Sequence, residues 1–411
     1  MENNFLKKEV SRRNVLKAGG IGMAGLFIGV SGAGSLLSMT ASADKKSTGT
    51  VSFYGKHQAG ITTDTQNHLY FAALMLTTTD VADVKKLLKE WTGSAASMAE
   101  GKLIGKPAEN MLLPPDDTGE AAGLDASNLT MTFGVGPGFF EKLNLSSKKP
   151  KELAALPAFS FDALEEEWSG GDLCIQACAD DPQVAFHAVR NLVRIARGKA
   201  QLKWTQAAFQ RTKQANTESE TPRNLFGFKD GTGNPDHTNN SLMNDLVWVN
   251  DGWMTGGTYM VVRRVQMFIE VWDRTAIGEQ EATFGRYRDS GAPMSGKKEF
   301  DLVQIDKTDE NGNKLMPADS HTALAHGDGK MKLLRRSYSY ADGLDKKTGS
   351  FDAGLLFISF QKSVANQFIP IQTRLANKDK LNEYTIHRGS AVFACLPGVK
   401  KGGWLGETLF R

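Results

Sequence analysis

Apolar runs of strand length alternate with amphipathic helical stretches in the order β-α-β, β-α-β, and the rhythm then starts again. His68–Leu76 reads as a buried strand. Residues 80–92 read as a helix with Val81, Val84, Leu87 and Leu88 at helical spacing. Residues 129–136 form a strand that ends in a glycine-proline turn, and residues 173–178 form another. Asp181, an N-cap followed by Pro182, opens a helix over 183–196, and residues 203–209 close the half as a strand. In the second half, residues 257–267, 355–361 and 390–398 read as strands, and 269–274 and 368–376 as helical. A chain with this order folds in the α+β class, as two ferredoxin-like halves packed sheet to sheet. Its 411 residues are enough for two such halves, with a first segment over 1–43, halves over 44–222 and 223–411, and a link at 216–223. The stretches 100–127 and 286–325 read as long surface or site-forming loops.

Residues 224–235, Asn-Leu-Phe-Gly-Phe-Lys-Asp-Gly-Thr-Gly-Asn-Pro, interrupt the rhythm. Three glycines and a proline exclude a regular helix or strand and make a tight loop with backbone at positive φ. Such a loop can approach a flat ligand closely. Asp230 lies in its middle, followed by Gly231 and near Phe226 and Phe228. A carboxylate on a rigid loop beside aromatic rings is a candidate general acid/base. The alternative is a turn aspartate that bonds its own backbone.

The formal net charge of +3 comes from the first segment, where five Lys or Arg residues face two acids. The rest is balanced, which excludes nucleic acid or an anionic membrane as a charge-driven partner. Ser11-Arg12-Arg13-Asn14-Val15-Leu16-Lys17 is a twin-arginine export motif. A glycine-rich apolar run follows, and then the small-x-small site Ala41-Ser42-Ala43. The expected product is an exported protein beginning near Asp44, secreted, periplasmic or held at the cell surface. The alternative is an uncut membrane anchor. The twin-arginine translocase carries proteins already folded, often because a cofactor is loaded first. Three cysteines, Cys174, Cys178 and Cys395, give no disulfide framework, and the alternation of residues 173–178 puts the first two on one buried face. No Cys-x-x-Cys-His occurs, so a covalent c-type haem is not expected.

Gly227-Phe228-Lys229-Asp230-Gly231 resembles the GxxDG signature of the dye-decolourising peroxidases, a haem peroxidase family. The longer match through Asn234-Pro235 is similar to its secreted, deferrochelatase-like branch, and similar segments recur from His57 to near the C-terminus. The resemblance implies the family's dimeric α+β barrel-like fold. It also implies one non-covalent haem b per chain, hydrogen peroxide as oxidant, and a bulky organic electron donor such as a dye or phenol. Components of an iron-uptake permease are implied as partners, and a homo-oligomer is allowed.

A haem peroxidase needs an imidazole on iron, an acid/base on the opposite face, and a positive donor near the distal oxygen. The resemblance implies Asp230 as the acid/base. Leu333-Leu334-Arg335-Arg336-Ser337-Tyr338 resembles the family's Leu-Arg-Arg-Gly-Tyr segment, with Ser337 in place of glycine, and implies Arg335 as the positive group. On a strand the two arginines point to opposite faces, so only one can face iron, and Arg336 is the fallback. Ser320-His321-Thr322-Ala323-Leu324-Ala325 resembles the segment whose histidine binds iron, which favours His321 over His326. Phe228, Lys229, Gly231, Thr232, Arg286 and Arg336 are expected around the cofactor, Arg286 at a propionate. His57, His187, His237 and His387 default to structural or surface roles, His237 as a candidate for the haem edge. Electrons from bulky donors are expected to hop through Trp or Tyr, with Trp253, Trp272 and Tyr338 as stations that core packing also explains. A carboxyl base paired with arginine predicts an acidic optimum. Release of iron from haem with the porphyrin left intact is the alternative function. A non-enzymatic binding module and chlorite dismutase-like chemistry are disfavoured by the Asp230, His321 and Arg335 set.

Overall fold

A computed structural model describes residues 49–106, 110–211 and 221–411. The export motif, the cleavage site and residues 216–220 of the link lie outside the described residues. Among the described residues, nine strands form one sheet: β1 (His68–Leu76), β2 (Thr130–Val135), β3 (Leu173–Ala179), β4 (Ala200–Phe209), β5 (Thr258–Met267), β6 (Leu334–Arg335), β7 (Tyr338–Leu344), β8 (Phe351–Gln361) and β9 (Thr385–Cys395). The order runs β5-β9-β2-β3-β1-β4-β7-β8, and pairing of β8 back onto β5 closes eight strands into an antiparallel barrel. The sheet of β2-β3-β1-β4 and that of β7-β8-β5-β9 meet at short seams. Two residue pairs join β2 to β9, and one joins β4 to β7.

β6 and β7 lie on the same edge of β8 in one register, Leu334 opposite Phe360 and Tyr338 opposite Leu356. They are one strand interrupted at Arg336 and Ser337, where Ile358 N–H donates to Ser337 Oγ at 3.3 Å. Alternation along the strands then sorts residues to two faces. Phe71, Cys174, Cys178, Trp204, Met260, Ile358, Phe393 and Cys395 fill the barrel interior. Cys174 and Cys178, both free thiols, thus share the buried face that their spacing predicts.

Outside β1 and β3, the helices Val81–Ala99 and Pro182–Ile195 bury Leu87, Leu88, Trp91, Val189 and Leu192 against Leu74 and Ile175. Both start as the sequence directs. Asp80 accepts from Ala82 N–H at 2.7 Å, and Asp181 accepts from Gln183 N–H at 2.7 Å ahead of Pro182. The matching outer face of β5, β8 and β9 is not filled in this way. Val265, Met267, Leu355, Phe357, Thr385 and His387 line a cavity there. β9 begins at Thr385 rather than at 390, because its first residues are polar where they face that cavity and lack the apolar run of a buried strand. Gly389 in this stretch packs on Trp168, whose carbonyl oxygen a Cβ would meet at 2.4 Å.

Candidate active site

The glycine loop is built from its own side chains outward. Asn224 N–H donates to Phe228 O at 2.9 Å, and Asn224 Oδ1 accepts from the N–H groups of Phe226 and Phe228 at 3.1 and 3.2 Å. Gly227, at φ 82°, makes the turn between them. Phe226 and Phe228 pass beneath the loop into an aromatic cluster. Phe228 stacks on Phe284 at 4.1 Å, and Phe226 lies 4.6 Å from Trp272. Phe228 is therefore an anchor and does not line the cavity, contrary to the expectation of a cofactor contact. Asp230 N–H donates to Pro222 O at 2.8 Å, while its side-chain Oδ1 accepts from a residue 105 positions away rather than serving only its own turn.

The Asp230 side chain meets Arg335. Arg335 Nη1 donates to Asp230 Oδ1 at 2.8 Å, and both groups line the cavity. Asn234 clips the loop to the strand: its Nδ2 donates to Arg335 O at 2.7 Å, and its Oδ1 accepts from Arg335 N–H at 3.0 Å. Arg336, the next residue, points the other way. It is 3% exposed in the barrel interior, where Nη1 donates to Thr63 O at 2.6 Å and Nη2 to Asp64 O at 3.0 Å. Strand alternation thus removes Arg336 from the expected cofactor contacts. Lys229, Gly231, Thr232 and Arg286 do line the cavity. Arg286 donates to the carbonyl oxygens of Gly291 at 2.7 Å and Glu299 at 3.1 Å. Burial holds its pKa below the ordinary value, against the attraction of Glu299.

His321 opens the short helix His321–His326, whose N-cap is Ser320. His321 Nδ1 lies 2.6 Å from Asp379 Oδ2, a carboxylate whose side chain is 3% exposed. Asp379 follows the helix Ile369–Lys378, and its other oxygen accepts from Leu381 N–H at 2.9 Å, so the carboxylate is itself held. Burial disfavours protonated His321, but the charge and hydrogen bond of Asp379 outweigh this and raise its pKa. The pairing commits Nδ1 and leaves Nε2 as the ring nitrogen for a ligand. His326 lines the same cavity, but burial, followed by the charge of Lys332, lowers its pKa.

The cavity holds about 320 Å³. His321 and the Asp230–Arg335 pair belong to it together, and His321 feels the charge of both partners. Val265, Met267, Leu355, Phe357 and Leu375 supply apolar walls. This chemistry fits haem. One imidazole with its second nitrogen fixed does not hold a bare ion, but it completes the coordination of iron already held by a porphyrin. Apolar walls suit the macrocycle, and Arg286 suits its carboxylates. Replacing Asp379 by asparagine should weaken haem binding by about 10- to 100-fold, because the imidazole loses its charged orienting partner. Haem titration of the two proteins checks this, and equal affinity would remove Asp379 from the site.

Two further residues line the cavity: His387, expected in a structural or surface role, and Arg263, which no sequence motif marks. His387 Nδ1 accepts from Arg263 Nε at 3.2 Å, and Arg263 pairs with Asp162 and donates to Ser390 Oγ at 3.1 Å. Burial, then the Arg263 charge, pushes the pKa of His387 down to about 3. In the unfolded chain an imidazole takes its proton near about pH 6.5. Between these values the unfolded state binds more protons, so stability is lost as pH falls through that window. His387→Gln should remove a few kcal/mol of this acid-dependent loss. Urea unfolding at about pH 7 and about pH 4.5 measures it, and identical losses in both proteins would exclude His387 as the source.

The remaining expected residues lie elsewhere. His57 stacks on Trp248 at 3.7 Å, His187 pairs with Asp117, and His237 sits near Asp64 on the surface rather than in the cavity. Trp272 is packed in the aromatic cluster under the loop, and Tyr338 is in the barrel interior. Trp253 donates to Lys148 O at 2.8 Å.

Comparison with known proteins adds the following. Residues 58–210 match the family model for Dyp-type peroxidase, N-terminal, and residues 221–400 the model for Dyp-type peroxidase, C-terminal. A deferrochelatase from Escherichia coli is 36% identical, with 98% of this chain and 97% of that protein aligned. A DyP-type peroxidase from Streptomyces coelicolor has 35% identity and a TM-score of 0.82, covering 88% of this chain and 97% of the other. An oxyferrous complex of DtpA from Streptomyces lividans has 34% identity and a TM-score of 0.83, with the same coverage.

Proposed function

The chain belongs to the Dyp-type peroxidase family, and on that premise we propose that Asp230 and Arg335 are its distal proton-handling pair and His321 its iron ligand. The protein is a haem peroxidase that reduces hydrogen peroxide and oxidises organic donors in one-electron steps, with the haem held non-covalently. The observation that carries the residue roles is the placing of two pairs, Asp230 with Arg335 and His321 with Asp379, on one cavity.

Bound haem supplies the iron at which peroxide is split. Everything else falls to the chain. Arg335 engages Asp230 Oδ1, which leaves Oδ2 to take the proton of the entering peroxide and return it to the leaving oxygen. The Arg335 guanidinium stabilises the negative charge that develops on that leaving oxygen. Asp379 fixes the His321 ring through Nδ1, so Nε2 is the nitrogen that would hold the iron of bound haem. The apolar walls limit water, which strengthens each of these charge interactions. Arg286 is the residue best placed by chemistry to meet a haem carboxylate.

The direct test is a visible spectrum of the haem-loaded protein before and after one equivalent of hydrogen peroxide at about pH 5, where a carboxyl base works. A stoichiometric change in the haem bands that a reducing dye reverses supports the assignment. Haem bands inert to peroxide sink it. The name of the Escherichia coli relative favours a second reading, release of iron from haem with the porphyrin intact. Free iron and unbroken porphyrin after incubation with haem would select it.

The remaining assignments belong to the same proposal. The first segment is a twin-arginine leader, removed near Asp44, and the translocase exports the folded, loaded protein. One haem serves each chain, components of an iron-uptake permease are its cellular partners, and the halves divide at 222 and 223. The dense pairing within each four-stranded sheet, against short seams between them, supports that division.

A further inference from the structure

We infer that Glu299, in the long 286–325 loop, is a positioning residue that holds Asp230 in line with Arg335 by acting through Lys229 and Thr232. The inference rests on the peroxidase reading above. Glu299 Oε2 accepts from Lys229 Nζ at 2.6 Å, and Oε1 accepts from Thr232 Oγ1 at 2.9 Å and from Thr221 Oγ1. These partners lie on both sides of Asp230 in the chain. One carboxylate therefore grips the catalytic loop before and after its acid.

The loop needs such a grip. Asp230 is followed by Gly231 at φ 130°, with Gly233 two residues on, and no helix or strand carries this stretch. Backbone of that kind keeps wide conformational freedom unless it is restrained from outside. Lys229 is bridged to Arg223 in an antiparallel step, and Asp230 N–H donates to Pro222 O at 2.8 Å. Fixing the Lys229 head on Glu299 therefore steadies the backbone from which Asp230 reaches Arg335.

The Lys229 and Glu299 side chains are only 10% and 11% exposed, which sets the pair apart from solvated surface bridges. Burial opposes the charge of Glu299, but the bonds from Lys229, Thr221 and Thr232 hold its carboxylate below the usual range. The same residue reaches the other wall of the cavity, since its backbone oxygen accepts from Arg286 Nη1 at 3.1 Å. The loop around it is fastened to the catalytic loop a second time. Arg223 donates from Nη1 to Gly227 O at 2.8 Å and from Nη2 to Asp289 O at 2.9 Å.

The test compares Glu299→Gln, Glu299→Asp and Lys229→Met in the full, haem-loaded protein. Amide hydrogen exchange over residues 228–232 should be about tenfold faster in Glu299→Gln and in Lys229→Met, each of which breaks the pair from one side. In Glu299→Gln, kcat/KM for peroxide should fall about tenfold while kcat/KM for the organic donor holds, and Glu299→Asp, which keeps the charge, should recover part of the loss. Unchanged exchange overturns the inference. So does a wild-type peroxide rate, or a rate that falls only in step with haem content. A wild-type protein inert to peroxide would instead defeat the peroxidase reading, and the exchange comparison would still decide whether Glu299 fixes the loop.

Discussion

His321→Ala yields a folded protein that binds haem at least on the order of 100-fold more weakly, since losing the ligand costs no less than losing its orienting partner. The structure separates the two effects. His321 stands at the first position of a six-residue helix capped by Ser320, and its side chain is one-third exposed to the cavity. Alanine suits a helix, and the change in unfolding free energy should stay within about 1–2 kcal/mol. Asp379 then loses its imidazole but keeps its bond to Leu381 N–H at 2.9 Å. Haem absorbance per protein chain, read beside a thermal melt of the haem-free protein, distinguishes loss of ligand from loss of fold. A normal ferric spectrum in the variant would pass the ligand role to His326, which lines the same cavity.

Asp230→Asn should leave haem binding intact and slow the reaction with peroxide by about 10²- to 10⁴-fold, the usual range for a positioned acid/base. Asparagine preserves the shape of the side chain and can still accept from Arg335 Nη1 through its oxygen, a bond of 2.8 Å in the native protein. What it lacks is the ability to take and return a proton. Stopped-flow mixing with peroxide measures the rate free of the donor half-reaction. Arg335→Leu is the companion. It removes the cation and leaves the carboxylate, and its loss should be of the same order as that of one charge-stabilising donor, about 10²- to 10³-fold. A native rate in Asp230→Asn would exclude the aspartate from proton transfer.

Much of this site was readable from local sequence. Glycine, asparagine and proline mark residues 224–235 as a loop whatever surrounds them, because those residues carry backbone preferences of their own. The opposite orientations of Arg335 and Arg336 follow from strand geometry alone. The parts that were not readable depend on distant partners. Asp379 is 58 positions from His321, and nothing in Asn377-Lys378-Asp379-Lys380 separates it from an ordinary solvated turn. Glu299 lies in a polar insertion where glutamate is unremarkable. Phe228 is expected at the cofactor as part of the motif around Asp230. Its stack on Phe284 and edge contact with Trp272, formed only in the assembled fold, make it an anchor instead. The early residues of β9 carry no strand signal in the sequence, because a cavity wall permits polar side chains where a packed wall does not.

Among the described residues, the lining of the cavity runs from Asn224 to His387, and none of it comes from the first half of the chain. Synthesis therefore imposes a timetable. The first four-stranded sheet can be complete while no cofactor chamber exists, and the chamber closes only after residue 387 has been made. Haem can therefore fill this chamber only once nearly the whole chain has been made, which makes loading a late event that follows completion of the first sheet.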